Sequence, residues 1–87
     1  MNTLNEPQFV SMMAWGVVFL VEVYADRDGW YIRINGSYWL GGKKDVPEIF
    51  PSIERAVLYL HAVGCEHLVL HLNRWPELPE RRDKVVS

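Results

Sequence analysis

An asparagine-glycine pair between two alternating runs restricts this chain more than any other feature. In WYIRINGSYWL, residues 30–40, Trp30, Ile32 and Ile34 alternate with Tyr31 and Arg33, and Ser37–Leu40 resumes an extended pattern beyond Asn35-Gly36. Period-two alternation suits a strand with one buried face, and Asn-Gly accepts the positive φ angles of a tight type I′ turn. Two antiparallel strands are expected. A two-residue turn sets Ile32 opposite Trp39 and Arg33 opposite Tyr38. That register sends Trp30 and Trp39 to the inner face and Tyr31, Tyr38 and Leu40 to the outer one.

A lone hairpin is marginal in water, so its neighbours matter. VVFLVEVY, residues 17–24, is rich in β-branched and aromatic side chains and ends in the turn-forming ADRDG, as a first strand should. Its row Val17, Phe19, Val21 and Val23 coincides with Trp30, Ile32 and Ile34 if Val23 lies opposite Ile32. Glu22 then faces Arg33, and Tyr24 faces Tyr31, on the other side. After the loop GGKKDVPEIFP, Ser52 can cap a helix carrying Ile53, Ala56, Val57, Leu60 and Val63 at helical spacing, which Gly64 ends. HLVLHL, residues 67–72, supplies a fourth strand, and a right-handed crossover makes it parallel to the first.

The expected fold class is α+β: a four-stranded, mostly antiparallel β-β-β-α-β sheet in the order 3-2-1-4, with one helix on one face. Ahead of it, Asn5 and Gln8 have the form of a capping box and Pro7 stands in a first turn, which predicts a short helix. The chain thus divides into an N-terminal segment, 1–16, a domain, 17–73, and a charged, Pro-containing tail, 74–87. Eighty-seven residues suffice for one small core. The single cysteine, Cys65, can form no internal disulfide, which points to a reducing cytoplasm. The polar start Asn2–Gln8 and the charge on Glu22 interrupt any stretch long enough for a bilayer, so no membrane association is expected.

One helix covers one side of a sheet. The uncovered side is expected to present Leu20, Glu22, Tyr24, Tyr31, Arg33, Tyr38 and Leu40, joined by His67, Val69 and His71 if Leu68, Leu70 and Leu72 turn toward the helix. A contiguous apolar and aromatic patch on a small domain marks a contact surface. The competing reading folds the N-terminal segment, with Phe9, Met12, Met13 and Trp15, over that patch. Catalytic chemistry has little support: His67 and His71 lie about 13 Å apart at strand rise, too far to share a metal, and GGKK lacks the spacing of a phosphate loop. Cys65 reads as a small hydrophobe. No cofactor and no metal is expected, and the function expected is a non-catalytic module that binds protein. A second copy is one candidate partner, with Glu22 and Arg33 exchanging charge.

GWYIRINGSYWLGG followed by FPSIERAVLYL resembles the three-strand-plus-helix DNA-binding module of AP2-type and phage-integrase arm-binding proteins, over roughly residues 17–62. The resemblance implies a sheet face laid on DNA, with Tyr31, Arg33 and Tyr38 touching the duplex, and makes nucleic acid the alternative partner. Charge opposes it. Residues 1–73 hold five basic and eight acidic side chains, and the tail adds four basic and three acidic ones, for a net −2. Nucleic-acid affinity draws heavily on lysines and arginines meeting phosphates.

Overall fold

The structure, a computed structural model, describes residues 2–42 and 46–72, and the expected tail, 74–87, lies outside the described residues. Along the chain run β1 (Thr3–Leu4), α1 (Glu6–Trp15), β2 (Val21–Asp26), β3 (Gly29–Ile34), β4 (Tyr38–Leu40), α2 (Ile53–Ala62) and β5 (Val69–His71). They form one sheet in the order β1-β4-β3-β2-β5 with two helices, so the α+β class holds. The four expected strands keep their expected neighbours, and β5 lies parallel to β2. The sheet nevertheless has five strands, not four. Its pairings are mixed, with β1–β4 and β2–β5 parallel and β2–β3 and β3–β4 antiparallel, rather than mostly antiparallel. The added strand, β1, is two residues long, too short to show alternation. It is anchored by backbone bonds from Trp39 N–H to Asn2 O (2.9 Å) and from Gly41 N–H to Leu4 O (2.8 Å).

The capping box forms as its spacing predicts. Gln8 N–H donates to Asn5 Oδ1 at 2.9 Å, and Asn5 N–H donates to Gln8 Oε1 at 3.0 Å, satisfying two backbone donors at the start of α1. Gly16, in the left-handed region at φ 73°, ends the helix. From α1, Phe9 is fully buried and its ring stacks on Tyr59 of α2 at 6.4 Å. Both helices therefore lie on the same side of the sheet. Leu4 and Phe9 join Val23, Ile32, Ile34, Leu40, Ala56 and Leu60 in one core. The N-terminal segment thickens the side α2 already covers and does not fold over the tyrosine-bearing side.

Between β2 and β3 the expected register is found: Val23 pairs with Ile32, Glu22 with Arg33 and Tyr24 with Tyr31. Two other expectations need correction. The first strand begins at Val21 rather than at residue 17. Val17 and Phe19 are 49% and 78% exposed instead of sharing the inner row. The connection is held by Asn35, whose Oδ1 accepts from Phe19 N–H (2.8 Å) and Leu20 N–H (3.2 Å), and whose Nδ2 donates to Val17 O (3.1 Å). The register of β4 is also displaced by one residue: Arg33 pairs with Trp39, and Ile34 with Tyr38. Asn35 and Gly36 take the expected positive φ angles, 57° and 68°, and Ser37 N–H closes the turn on Ile34 O at 3.1 Å. Ser37 is then left over as an extra residue before pairing resumes. One such residue exchanges the two faces of the strand that follows.

On α2, the Tyr59 hydroxyl is buried, with the Glu6 carboxylate as a polar neighbour. Burial holds this phenol well above its ordinary value of 10.0, with the Glu6 and Glu48 carboxylates adding to the effect. The folded chain prefers the neutral phenol. Stability from that preference is full below pH 10.0 and is lost as pH rises past it, because the unfolded chain ionises first. Tyr59→Phe removes this buried hydroxyl together with its interaction with the Glu6 carboxylate, so stability at neutral pH should change by no more than about 1 kcal/mol. In denaturant titrations the variant should also lose less stability in strong alkali than the parent.

Candidate interaction face

Because both helices occupy one side, strand alternation decides what the other side carries. It presents Glu22 and Tyr24 from β2, Tyr31 and Arg33 from β3, Trp39 from β4 and His71 from β5, in the registers just given. Four of these, Glu22, Tyr24, Tyr31 and Arg33, are where the sequence places them. Leu40 is not: it is 3% exposed and belongs to the core opposite Leu4. Tyr38, paired with Ile34, also falls on the helix side, at the sheet's rim. Leu20 lies outside β2, in the connection clamped by Asn35, where it lines a groove with Met13, Val18 and Leu68. Trp39, expected inside, takes the place on the open face assigned to Tyr38 and Leu40. Trp30 remains on the helix side, packed against the core.

These six side chains form a connected layer. The Trp39 ring meets Tyr24 edge-on at 5.4 Å and Tyr31 edge-on at 6.0 Å, and the Arg33 guanidinium carbon sits 4.8 Å from its centre. Such T-shaped and cation–π contacts are attractive because a ring's face is negative and its edge positive. Arg33 also donates to Gly36 O at 3.0 Å. Across the sheet, the His71 ring lies flat on Tyr24, with centroids 4.2 Å apart and planes 2° apart. Glu22 Oε2 gathers this end of the layer, meeting His71 Nε2 at 2.9 Å and accepting from Tyr24 O–H at 3.1 Å. Burial, with Asp26 and Asp28 nearby, raises the Tyr31 phenol above its ordinary value.

His71 joins this face because Leu70, paired beside Val23, turns to the helix side and sends its neighbours to the other. No sequence signal exposed Trp39, because its placement turns on Ser37 being surplus to the turn. Away from this face, the Cys65 thiol donates to His67 O at 3.2 Å, and burial raises its pKa. That fits a small packed side chain better than a nucleophile. Among the described residues no helix is long and apolar enough to cross a membrane, and no group of three or more His, Cys, Asp or Glu is placed to hold a metal ion. No protein-family model matches the chain, and neither a curated protein nor a solved structure matches it.

Proposed function

We propose that the protein is a non-catalytic interaction module that docks a protein partner on the aromatic face of its sheet, centred on Trp39 and bounded by Tyr24, Tyr31, Arg33, Glu22 and His71. The observation that carries this reading is the placement of α1 and α2 on one side together, which leaves the other side uncovered by any described element. Tryptophan, tyrosine and arginine are the residues on which binding energy concentrates at protein contacts, because each combines large area with a polar edge that tolerates water. Here they are already ordered by contact with one another, so little rotamer freedom is left to lose on docking. A protein surface also suits the charge on this face, one carboxylate and one guanidinium, both already engaged locally. Nucleic acid would ask for several free cations.

A photo-crosslinking residue at Tyr31 tests the reading in cells. Covalent adducts with protein are expected from that position and not from Leu58, on the exposed outer side of α2. Trp39→Ala should weaken the contact more than tenfold, about 1.4 kcal/mol or more, while leaving the circular dichroism of the fold unchanged. Binding should vary little between about 50 and 200 mM salt, where a duplex-binding protein loses orders of magnitude. Adducts with nucleic acid, or adducts indifferent to Trp39→Ala, sink the proposal.

A further inference from the structure

The sheet ends at β5, and among the described residues β2 is its sole partner strand. An unpaired edge displays a row of backbone donors and acceptors that another strand can use, and chains that stay single guard such edges with lysine, proline or a bulge. β5 is short, three residues, but residues 68–72, Leu-Val-Leu-His-Leu, contain no proline, lysine or other charged guard. On the helix side of this edge, Leu70 and Leu72 are 36% and 55% exposed, whereas their neighbours Val23, Ile32 and Ile34 further into the sheet are fully buried. Among the described residues, the helix layer leaves this edge partly open.

We infer that the edge of β5, which no described strand pairs, pairs antiparallel with β5 of a second copy, about a two-fold axis normal to the sheet at Leu70. The order of residues selects both the partner and the register. Centred on Leu70, self-pairing sets Leu70 against Leu70 and Leu68 against Leu72 twice, all on the helix side, and Val69 against His71 on the open side. Centred on Val69, the same ladder puts Leu72 against Glu66. Centred on His71, it stacks histidine on histidine and puts Val69 against Asn73. Only the first arrangement pairs every leucine with a leucine, and cross-strand apolar pairs are what stabilise such a ladder. The two five-stranded sheets then continue as one of ten, with both aromatic faces on the same side. This contact does not depend on the docking proposed for the aromatic face.

With β5 extended by one residue at each end, to Leu68 and Leu72, the ladder has five residues and is about 17 Å long. Such a contact buries less than the ~800 Å² per partner of stable complexes, so the dimer should dissociate with a constant above about 1 μM. Sedimentation of the full chain over a concentration series is expected to show mass rising from one copy toward two. Leu70→Lys brings two ammonium groups together at the axis and should shift that transition at least tenfold upward in concentration. In a Cys65→Ser background, Leu70→Cys should form a covalent dimer under mild oxidant, because directly opposed Cα atoms lie about 4.5–5.5 Å apart, within the span a disulfide bridges; Leu58→Cys should not. Trp39→Ala should leave the mass profile unchanged. The inference is overturned if the parent keeps the mass of one copy up to about 1 mM. It fails equally if Leu70→Cys does not cross-link, or if Trp39→Ala rather than Leu70→Lys abolishes the dimer.

Discussion

Asn35→Ala is expected to lower the unfolding free energy by about 3 kcal/mol, and Asn35→Gly by about 2 kcal/mol, in urea titrations of the full chain. The difference separates two tasks that one residue performs. As the first residue of the turn, Asn35 stands at φ 57°, a conformation that alanine adopts at a cost of about 1 kcal/mol and glycine without strain. As a clamp, its amide accepts from Phe19 and Leu20 and donates to Val17, tying the α1–β2 connection to the start of the β3–β4 turn. Asn35 N–H also donates to Leu20 O at 2.7 Å. Glycine keeps the turn and that backbone bond but loses the three side-chain bonds. A turn residue alone would be improved or unchanged by glycine, so an Asn35→Gly variant as stable as the parent would refute the clamp.

Asn35 also marks where the sequence was legible and where it was not. Positive φ at Asn35 and Gly36 follows from local chemistry, and the β2–β3 register follows from the alternation of Val21 and Val23 against Ile32 and Ile34 across the turn-forming ADRDG. Helix α1 was equally readable, because a capping box acts over three residues. Long-range geometry was harder. Nothing local distinguishes a hairpin that resumes pairing at Ser37 from one that resumes at Tyr38, yet that choice decides whether Trp39 or Leu40 is buried. The choice is settled at the other edge of β4, where β1 sets Leu4 beside Leu40 and Thr3 beside Trp39, and on the open face, where Trp39 gains Arg33, Tyr24 and Tyr31 as neighbours. Since β1 has only two residues, its influence was invisible in the pattern. Val17–Leu20 misled in the opposite way: four apolar residues of high strand propensity serve as a connection because the Asn35 side chain takes up backbone groups that a ladder would otherwise use.

Gly29→Ala should be the most damaging single-methyl change in the chain, costing about 4 kcal/mol, a large part of the stability of a domain this size. Gly29 is buried at the start of β3 with φ +146°, a conformation closed to side-chain-bearing residues. Space is closed as well: a Cβ there would stand 2.5 Å from Phe50 O and 2.8 Å from Ile49 Cγ2. The oxygen is backbone and cannot rotate aside. It accepts from Trp30 N–H at 2.9 Å, while Phe50 N–H donates to Trp30 O at 2.9 Å, a two-bond bridge that carries the sheet's edge past the end of β4 and leads into α2. A methyl group at Gly29 must therefore break this bridge or distort the β2–β3 turn, and either outcome loosens the Phe50 ring from Tyr59, 5.5 Å away. Thermal unfolding followed by near-ultraviolet circular dichroism reports both, because Trp30, Phe50 and Tyr59 all lie at this corner. Gly36→Ala provides the comparison: its φ of +68° is strained for alanine but nothing lies within 4 Å of a Cβ there, so it should cost only about 1 kcal/mol. Equal losses for the two variants would mean that close approach to Phe50 contributes nothing and that backbone angle alone requires glycine at position 29.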